Sequence, residues 1–218
     1  MRAVLFDIDG TLVDSNYLHI DAWTRALAEV GVPTDAWRIH RGIGMDSSKL
    51  LAEVLGNQQD ELGDAAKDAH TRHYAALEDR LRAFDGAREL LRELHSRALT
   101  VVLATSAPGE ELQKLRACLD VEDALDAVTS SEDVDEAKPD PDIVRVALDK
   151  AGVAASEAIF VGDTVWDAAA AGRAGVDFVG VLSGGISAAE LREAGAVTVY
   201  RDVAELLDTL DDSPLINR

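Results

Sequence analysis

Ala3-Val4-Leu5-Phe6-Asp7-Ile8-Asp9-Gly10-Thr11 opens the chain and decides how the rest is read. Residues 3–6 are a short unbroken apolar run, the pattern of a parallel strand buried on both faces. The run stops at Asp7. Carboxylates at positions 7 and 9, leaving such a strand, point the same way, so two acids meet beside one ligand position. Paired acids in different environments can divide the roles of nucleophile and general acid–base. Gly10 and Thr11 stand beside them as candidate substrate contacts. The competing reading is a polar turn, because Asp, Gly and Thr are all turn residues.

Outward from this stretch the chain changes character twice. From Asn16 to about Arg82 strand-like runs disappear and the pattern is helical, as in 19–30, 47–55 and 61–81, with breaks at Gly31-Val32-Pro33, Gly42-Ile43-Gly44 and Gly56-Asn57. From Gly86 onward helix and strand alternate: helices over 86–96, 109–117, 141–151, 165–174, 187–193 and 202–210, and strands over 99–104, 126–129, 158–161, 177–182 and 196–199. Regular alternation predicts an α/β fold, a Rossmann-like parallel sheet flanked by helices. The first strand belongs to that sheet. The expected organisation is therefore a core of residues 1–14 and 83–218, with an all-helical domain, 15–82, inserted after the first strand. The tail from Asp211 to Arg218 reads as a loose end.

Composition narrows the function. The 218 residues carry 21 Lys+Arg against 41 Asp+Glu, a formal charge of −20. Such an excess repels phosphate backbones and anionic membrane surfaces, so neither nucleic acid nor membrane is an expected partner. A lone cysteine, Cys118, permits no internal disulfide, and no apolar run approaches the roughly 18 residues of a membrane span. The expectation is a cytoplasmic protein with a hydrophobic core of ordinary size.

Three further segments share the location of the first. Thr100 to Ser106 is a strand ending in two hydroxyls, Thr105 and Ser106, where a helix begins; such a turn can hold a phosphate oxygen, or simply cap the helix. Lys138-Pro139-Asp140-Pro141-Asp142 places an ammonium on a short rigid loop, with Asp140 expected to cap a helix that starts at Pro141. The alternative is an ordinary surface lysine. Ile159 to Asp167 is another buried strand ending in an acid, Asp163, with Asp167 four residues on, where it could orient ligands or complement the helix dipole. All four segments fall at the carboxyl ends of parallel strands, where α/β sheets bind ligands. Bringing Asp7 and Asp163 together is costly unless a hard cation lies between them, so Mg²⁺ is the expected cofactor.

Taken in order, the D-x-D-G-T at Asp7–Thr11, the strand-terminal Thr105, Lys138 and the G-D-x-x-x-D at Gly162–Asp167 resemble the haloacid dehalogenase superfamily of phosphohydrolases. Within it, the chain resembles the phosphoglycolate phosphatase and β-phosphoglucomutase subgroup, in which the helical insert is a cap domain. The resemblance implies an enzyme that hydrolyses a small phosphorylated metabolite. Asp7 would attack phosphorus to give an aspartyl-phosphate, and Asp9 would protonate the leaving oxygen and then activate water. Thr105 and Lys138 would hold the phosphoryl oxygens. Asp7, the Asp9 carbonyl and Asp163 would bind Mg²⁺, supported by Asp167. Substrate contacts would include Ser106 and, from the cap, His19, Arg41 and Lys49. The acid at position 9 favours phosphate esters over the halides of the branch that named the superfamily. Asp14, His19 and Trp23 fall where the mutases place similar residues, but Met45 stands where they place an arginine, so a sugar-phosphate mutase is the second reading. A third is a non-catalytic binding or regulatory protein on the same fold.

Overall fold

The computed structural model describes residues 1–134 and 138–217, and divides into two compact units, Met1–Asp14 with Arg82–Arg218 and Ser15–Leu81. The larger unit holds a six-stranded parallel sheet in the order β3-β2-β1-β4-β5-β6. Its strands are β1 (Ala3–Phe6), β2 (Thr100–Leu103), β3 (Ala127–Val128), β4 (Ala158–Gly162), β5 (Asp177–Val181) and β6 (Ala196–Tyr200). β1 lies between β2 and β4 and is wholly buried, as its unbroken apolar sequence requires.

Helices cover both faces. On one, α7 (Asp142–Ala151) and α8 (Val165–Ala174) pack Ile143, Val144, Ala147, Ala168 and Ala171 onto Leu5, Val102, Phe160 and Phe178. On the other, α5 (Ala87–Ser96) buries Leu90, Leu91 and Leu94, and packs against β2 and against α10 (Val203–Asp208). Each such fully buried Leu or Phe contributes about 2 kcal/mol through removal of apolar surface from water. The remaining helices of this unit are α6 (Gly109–Leu119) and α9 (Ala188–Glu193).

The smaller unit is entirely helical: α1 (Asn16–Glu29), α2 (Ala36–Gly42), α3 (Ser47–Leu55) and α4 (Gln59–Ala75), with short 3₁₀ turns. α1 and α4 form its main pair, burying Ile20, Trp23, Ala26 and Leu27 against Ala66 and Ala69, while Ile39 of α2 and Leu50 and Leu51 of α3 close the cluster. Among the described residues no helix is long and apolar enough to cross a membrane.

The structure corrects three expectations. The break between the units falls at Leu81/Arg82, one residue earlier than expected, because Asp14 N–H donates to the Arg82 carbonyl and the Arg82 guanidinium pairs with the Asp14 carboxylate at 2.8 Å. α7 starts at Asp142 with Pro141 as its N-cap, and Asp140 lies 3.8 Å from Arg173. The tail is packed: Leu215 and Ser213 are fully buried, and the Ser213 hydroxyl donates to the Leu210 carbonyl. The helical segment α2 falls within the stretch expected to be helical, although no pattern of its own marks it. Seven residues give too short a window for a helical period to register.

Candidate active site

Asp7 continues the sheet ladder one step beyond β1, its N–H donating to the Val161 carbonyl at 3.0 Å. The chain then folds over the Ile8 carbonyl, which accepts from the N–H groups of Thr11, Leu12 and Val13. Gly10 takes φ +74°, the left-handed region that other residues enter only at a cost of roughly 1–2 kcal/mol. This turn lies beside the end of β4, and there the Thr11 hydroxyl donates to Asp163 Oδ1 at 2.9 Å. Thr11 and Asp163 are both fully buried, so the threonine fixes the acid's orientation.

Lys138 is only 3% exposed and bridges two of the acids, ion-paired to Asp7 Oδ1 and, at 2.7 Å, to Asp167 Oδ1. The reading of Lys138 as an ordinary surface lysine is therefore set aside. Its ammonium also lies 5.6 Å from the centre of the Phe160 ring, within reach of a cation–π attraction. Asp167 serves two partners. Its Oδ2 accepts from the Thr164 N–H at 3.0 Å and hydroxyl at 2.6 Å, closing a capping box at the start of α8, while Oδ1 holds Lys138. Gly162 makes room for it: a Cβ there would stand 2.8 Å from Asp167 Cγ.

The electrostatics follow from this crowding. Carboxylate oxygens of Asp7, Asp163 and Asp167, all buried, lie within 4.8 Å of one another. Burial pushes Asp7 up to about 7; Lys138 pulls it back, and Asp167 and Asp9 add to the rise. Burial would strip the charge from Lys138, but Asp167 and Asp7 outweigh it and hold the ammonium well above the ordinary lysine range. Three carboxylates against one ammonium leave the pocket negative. An all-oxygen donor set of this kind suits a hard divalent cation, so the residues present fit a metal site.

Thr105 follows β2, whose Leu103 pairs with Phe6, so it stands next to the Asp7 turn. Its side-chain oxygen accepts from the Ala107 N–H at 3.0 Å, and its carbonyl accepts from the Thr129 hydroxyl. The helix-cap alternative for this turn is not what the structure shows: α6 is capped at Pro108 with no side-chain bond, leaving Ser106 half-buried in the turn. Asp9, also half-buried, completes the acids of the turn after β1.

In the helical unit the candidates are dispersed. Arg41 is exposed at the end of α2, and Lys49 is half-buried on α3 with Met45 on the preceding turn. His19 has neighbours of its own: its Nδ1 is 3.2 Å from His70 Nε2, and its ring stacks on Tyr74 at 4.0 Å. His70 in turn stacks on Trp23 at 4.0 Å. Burial, His19 and His73 together drive His70 down to about 3, so it is held neutral. Asp14 belongs to the sheet unit and holds Arg82.

Sequence reasoning passed over one group. Ser183 and Gly184 follow β5, and the Ser183 hydroxyl donates to the Gly10 carbonyl at 2.6 Å across 173 residues. The only signal was a Ser-Gly-Gly run at a strand end.

Known proteins resemble this chain over most of its length. A phosphoglycolate phosphatase of Rhodospirillum rubrum is 33% identical over 219 residues, covering 96% of this chain and 90% of its own. A phosphorylated carbohydrates phosphatase of Thermotoga maritima is 30% identical, covering 97% and 99%. The crystal structure of a hydrolase from Pseudomonas syringae superposes with a TM-score of 0.91 at 36% identity, covering 97% of this chain and 99% of that one. Residues 1–175 match the haloacid dehalogenase-like hydrolases, and the chain belongs to that family.

Proposed function

We propose that the protein is a Mg²⁺-dependent phosphatase that hydrolyses a small phosphomonoester through an aspartyl-phosphate on Asp7. The observation that carries this reading is the placement of Lys138, buried between Asp7 and Asp167 with Asp163 in the same cluster. That arrangement gives a carboxylate nucleophile, a fixed cation for a phosphoryl oxygen and acids for a metal in one place. The relatives named as phosphatases of phosphoglycolate and of phosphorylated carbohydrates support a small acid or sugar phosphate as substrate.

In the first step an Asp7 oxygen forms a bond to phosphorus while the ester P–O bond breaks, and Asp9 gives its proton to the departing oxygen. In the second, Asp9 takes a proton from water as the water oxygen attacks phosphorus, and the Asp7–phosphorus bond breaks to release phosphate. Lys138, the Thr105 hydroxyl and Ser106 hold the phosphoryl oxygens as charge builds on them. Mg²⁺, held by Asp7, the Asp9 carbonyl and Asp163 with Asp167 in support, would neutralise the remaining charge and align phosphorus with the nucleophile. Gly10 and Thr11 keep the turn closed beside the substrate. His19, Arg41 and Lys49 are the residues assigned to reading the rest of the substrate. Release of phosphate from an aryl phosphate, with Mg²⁺ and with excess chelator, tests the reading: metal-dependent release supports it, and undiminished release in chelator removes the metal from it.

A further inference from the structure

We infer that the segment following β5, Ser183-Gly184, is part of the metal centre's framework and that both residues position its ligands. The inference rests on the metal-dependent reading above and names residues whose role that reading leaves open.

Gly184 stands directly against Asp163. A Cβ at Gly184 would overlap Asp163 Oδ2 outright and lie 2.8 Å from the Asp163 Cβ. Asp163 is fully buried and its other oxygen is committed to Thr11, so the carboxylate has no alternative place to go. The backbone of Gly184 is outside the left-handed region, unlike its neighbour Gly185 at φ +91°. An alanine at 184 therefore meets no backbone penalty of its own; its entire effect is displacement of the acid. Gly162 stands in the same relation to Asp167. Two glycines thus make room for two carboxylates of one cluster, but only Gly162 lies in the motif that contains its acid.

Ser183 acts on the other ligand. The peptide that carries the Asp9 carbonyl is followed by Gly10, whose N–H donates to the Val13 carbonyl at 2.9 Å and whose carbonyl accepts from Ser183 Oγ at 2.6 Å. Both sides of Gly10 are therefore tied, and the second tie comes from another strand. Because β5 adjoins β4 and β4 adjoins β1, the segment reaches past the end of β4 to the turn after β1. A carbonyl and a carboxylate that must face one ion are thereby fixed by one short stretch of backbone. Rigid support of this kind commonly decides metal affinity by factors of ten to a hundred.

The test is Mg²⁺ binding to purified protein by isothermal titration calorimetry, with Mn²⁺ paramagnetic resonance as a second readout. Four variants are compared with wild type: Gly184→Ala, Ser183→Ala, Ser183→Thr and, as control, Gly172→Ala, where a Cβ meets nothing within 4 Å. Gly184→Ala is expected to raise the Mg²⁺ dissociation constant at least tenfold and Ser183→Ala about threefold, with Ser183→Thr restoring most of the loss and Gly172→Ala matching wild type. The KM for Mg²⁺ should rise in parallel, with a smaller change in kcat at saturating metal. If Gly184→Ala fails to fold, the serine pair decides the matter alone. Wild-type affinity in Gly184→Ala or in Ser183→Ala overturns the inference while the phosphatase reading stands. A wild-type protein that binds no divalent ion overturns both.

Discussion

The sheet unit and the helical unit solve opposite problems with their polar groups. At the strand ends, ionised groups are packed together and each is held by several partners: Asp167 by Lys138 and Thr164, Asp163 by Thr11, Lys138 by two acids. In the helical unit the half-buried His19 and His70 join a stack of rings, Trp23 on His70 and His19 on Tyr74, in which His70 is kept uncharged. The first arrangement concentrates charge. The second avoids charge. Crowding costs stability when the cation that balances it is missing, whereas a neutral stack costs stability only when protons are plentiful, so the two units should respond to different perturbations.

Replacing Asp7 is the most severe way to probe the sheet unit. Asp7→Asn keeps the shape and removes the proposed nucleophile, so phosphate release should fall at least about a thousandfold with folding retained, as judged by circular dichroism. Turnover near the wild-type rate would take Asp7 out of the chemistry. Asp163→Ala should abolish activity or raise the metal requirement steeply, measured as phosphate release across a Mg²⁺ titration.

Asp7→Asn has the opposite effect on stability. Asp7 has its folded value raised to about 7, above the 3.8 of the free side chain. Between those values the folded chain binds the extra proton, so stability of the metal-free protein falls as pH rises from about 4 through 7. Asp7→Asn removes that loss. In chelator at pH 8 the variant should melt several degrees above wild type, and added Mg²⁺ should raise the wild type more than the variant. Equal melting temperatures in chelator would show that Lys138 balances the cluster without a metal.

A smaller contrast concerns the helical unit. Met45 offers a phosphate no donor, and Arg41 lies exposed at the end of α2. A mutase must retain a bisphosphorylated intermediate and keep water from the aspartyl-phosphate. Incubation with β-glucose 1-phosphate, Mg²⁺ and a bisphosphate primer should therefore yield mainly free phosphate; rapid formation of glucose 6-phosphate with little phosphate would reverse the assignment.

How much of this was legible in the sequence depends on the range of the interaction. β1 and β4 were readable because strands buried on both faces are continuous apolar runs, and α8 was readable to the residue because Thr164 and Gly175 mark its ends. Asp7 and Asp163 were readable as acids that each follow directly on such a strand. What could not be read is which side chain holds which. The Thr11 bond to Asp163 spans 152 residues, and the Ser183 bond to Gly10 spans 173. No local pattern encodes them. The tail failed for a related reason: its polar residues resemble a loose end, and the burial of Ser213 and Leu215 shows otherwise. In the helical unit the His19–His70 pairing was hidden because the two rings come from α1 and α4, 51 residues apart.

That pairing gives the mildest prediction. His70 is held at about 3 against an ordinary 6.5, by burial first and then by His19 and His73. Beyond it, Glu29 pairs with His73 at 2.9 Å and with Arg72 at 2.5 Å. Below 6.5 the unfolded chain takes up a proton on His70 that the folded chain refuses. Stability from this residue is therefore complete above 6.5 and is lost progressively as pH falls toward 3, by at most about 1.4 kcal/mol per pH unit. His70→Gln keeps a polar side chain but cannot acquire the proton, so it should lower stability at pH 7.5 through lost stacking while flattening the decline between pH 6.5 and 5. Chemical denaturation of wild type and variant at pH 7.5, 6.5 and 5.5, followed by Trp fluorescence, reads the difference. Parallel declines would mean that acid acts elsewhere, with the carboxylates of the sheet unit the next groups to test, and the stack would then be packing alone.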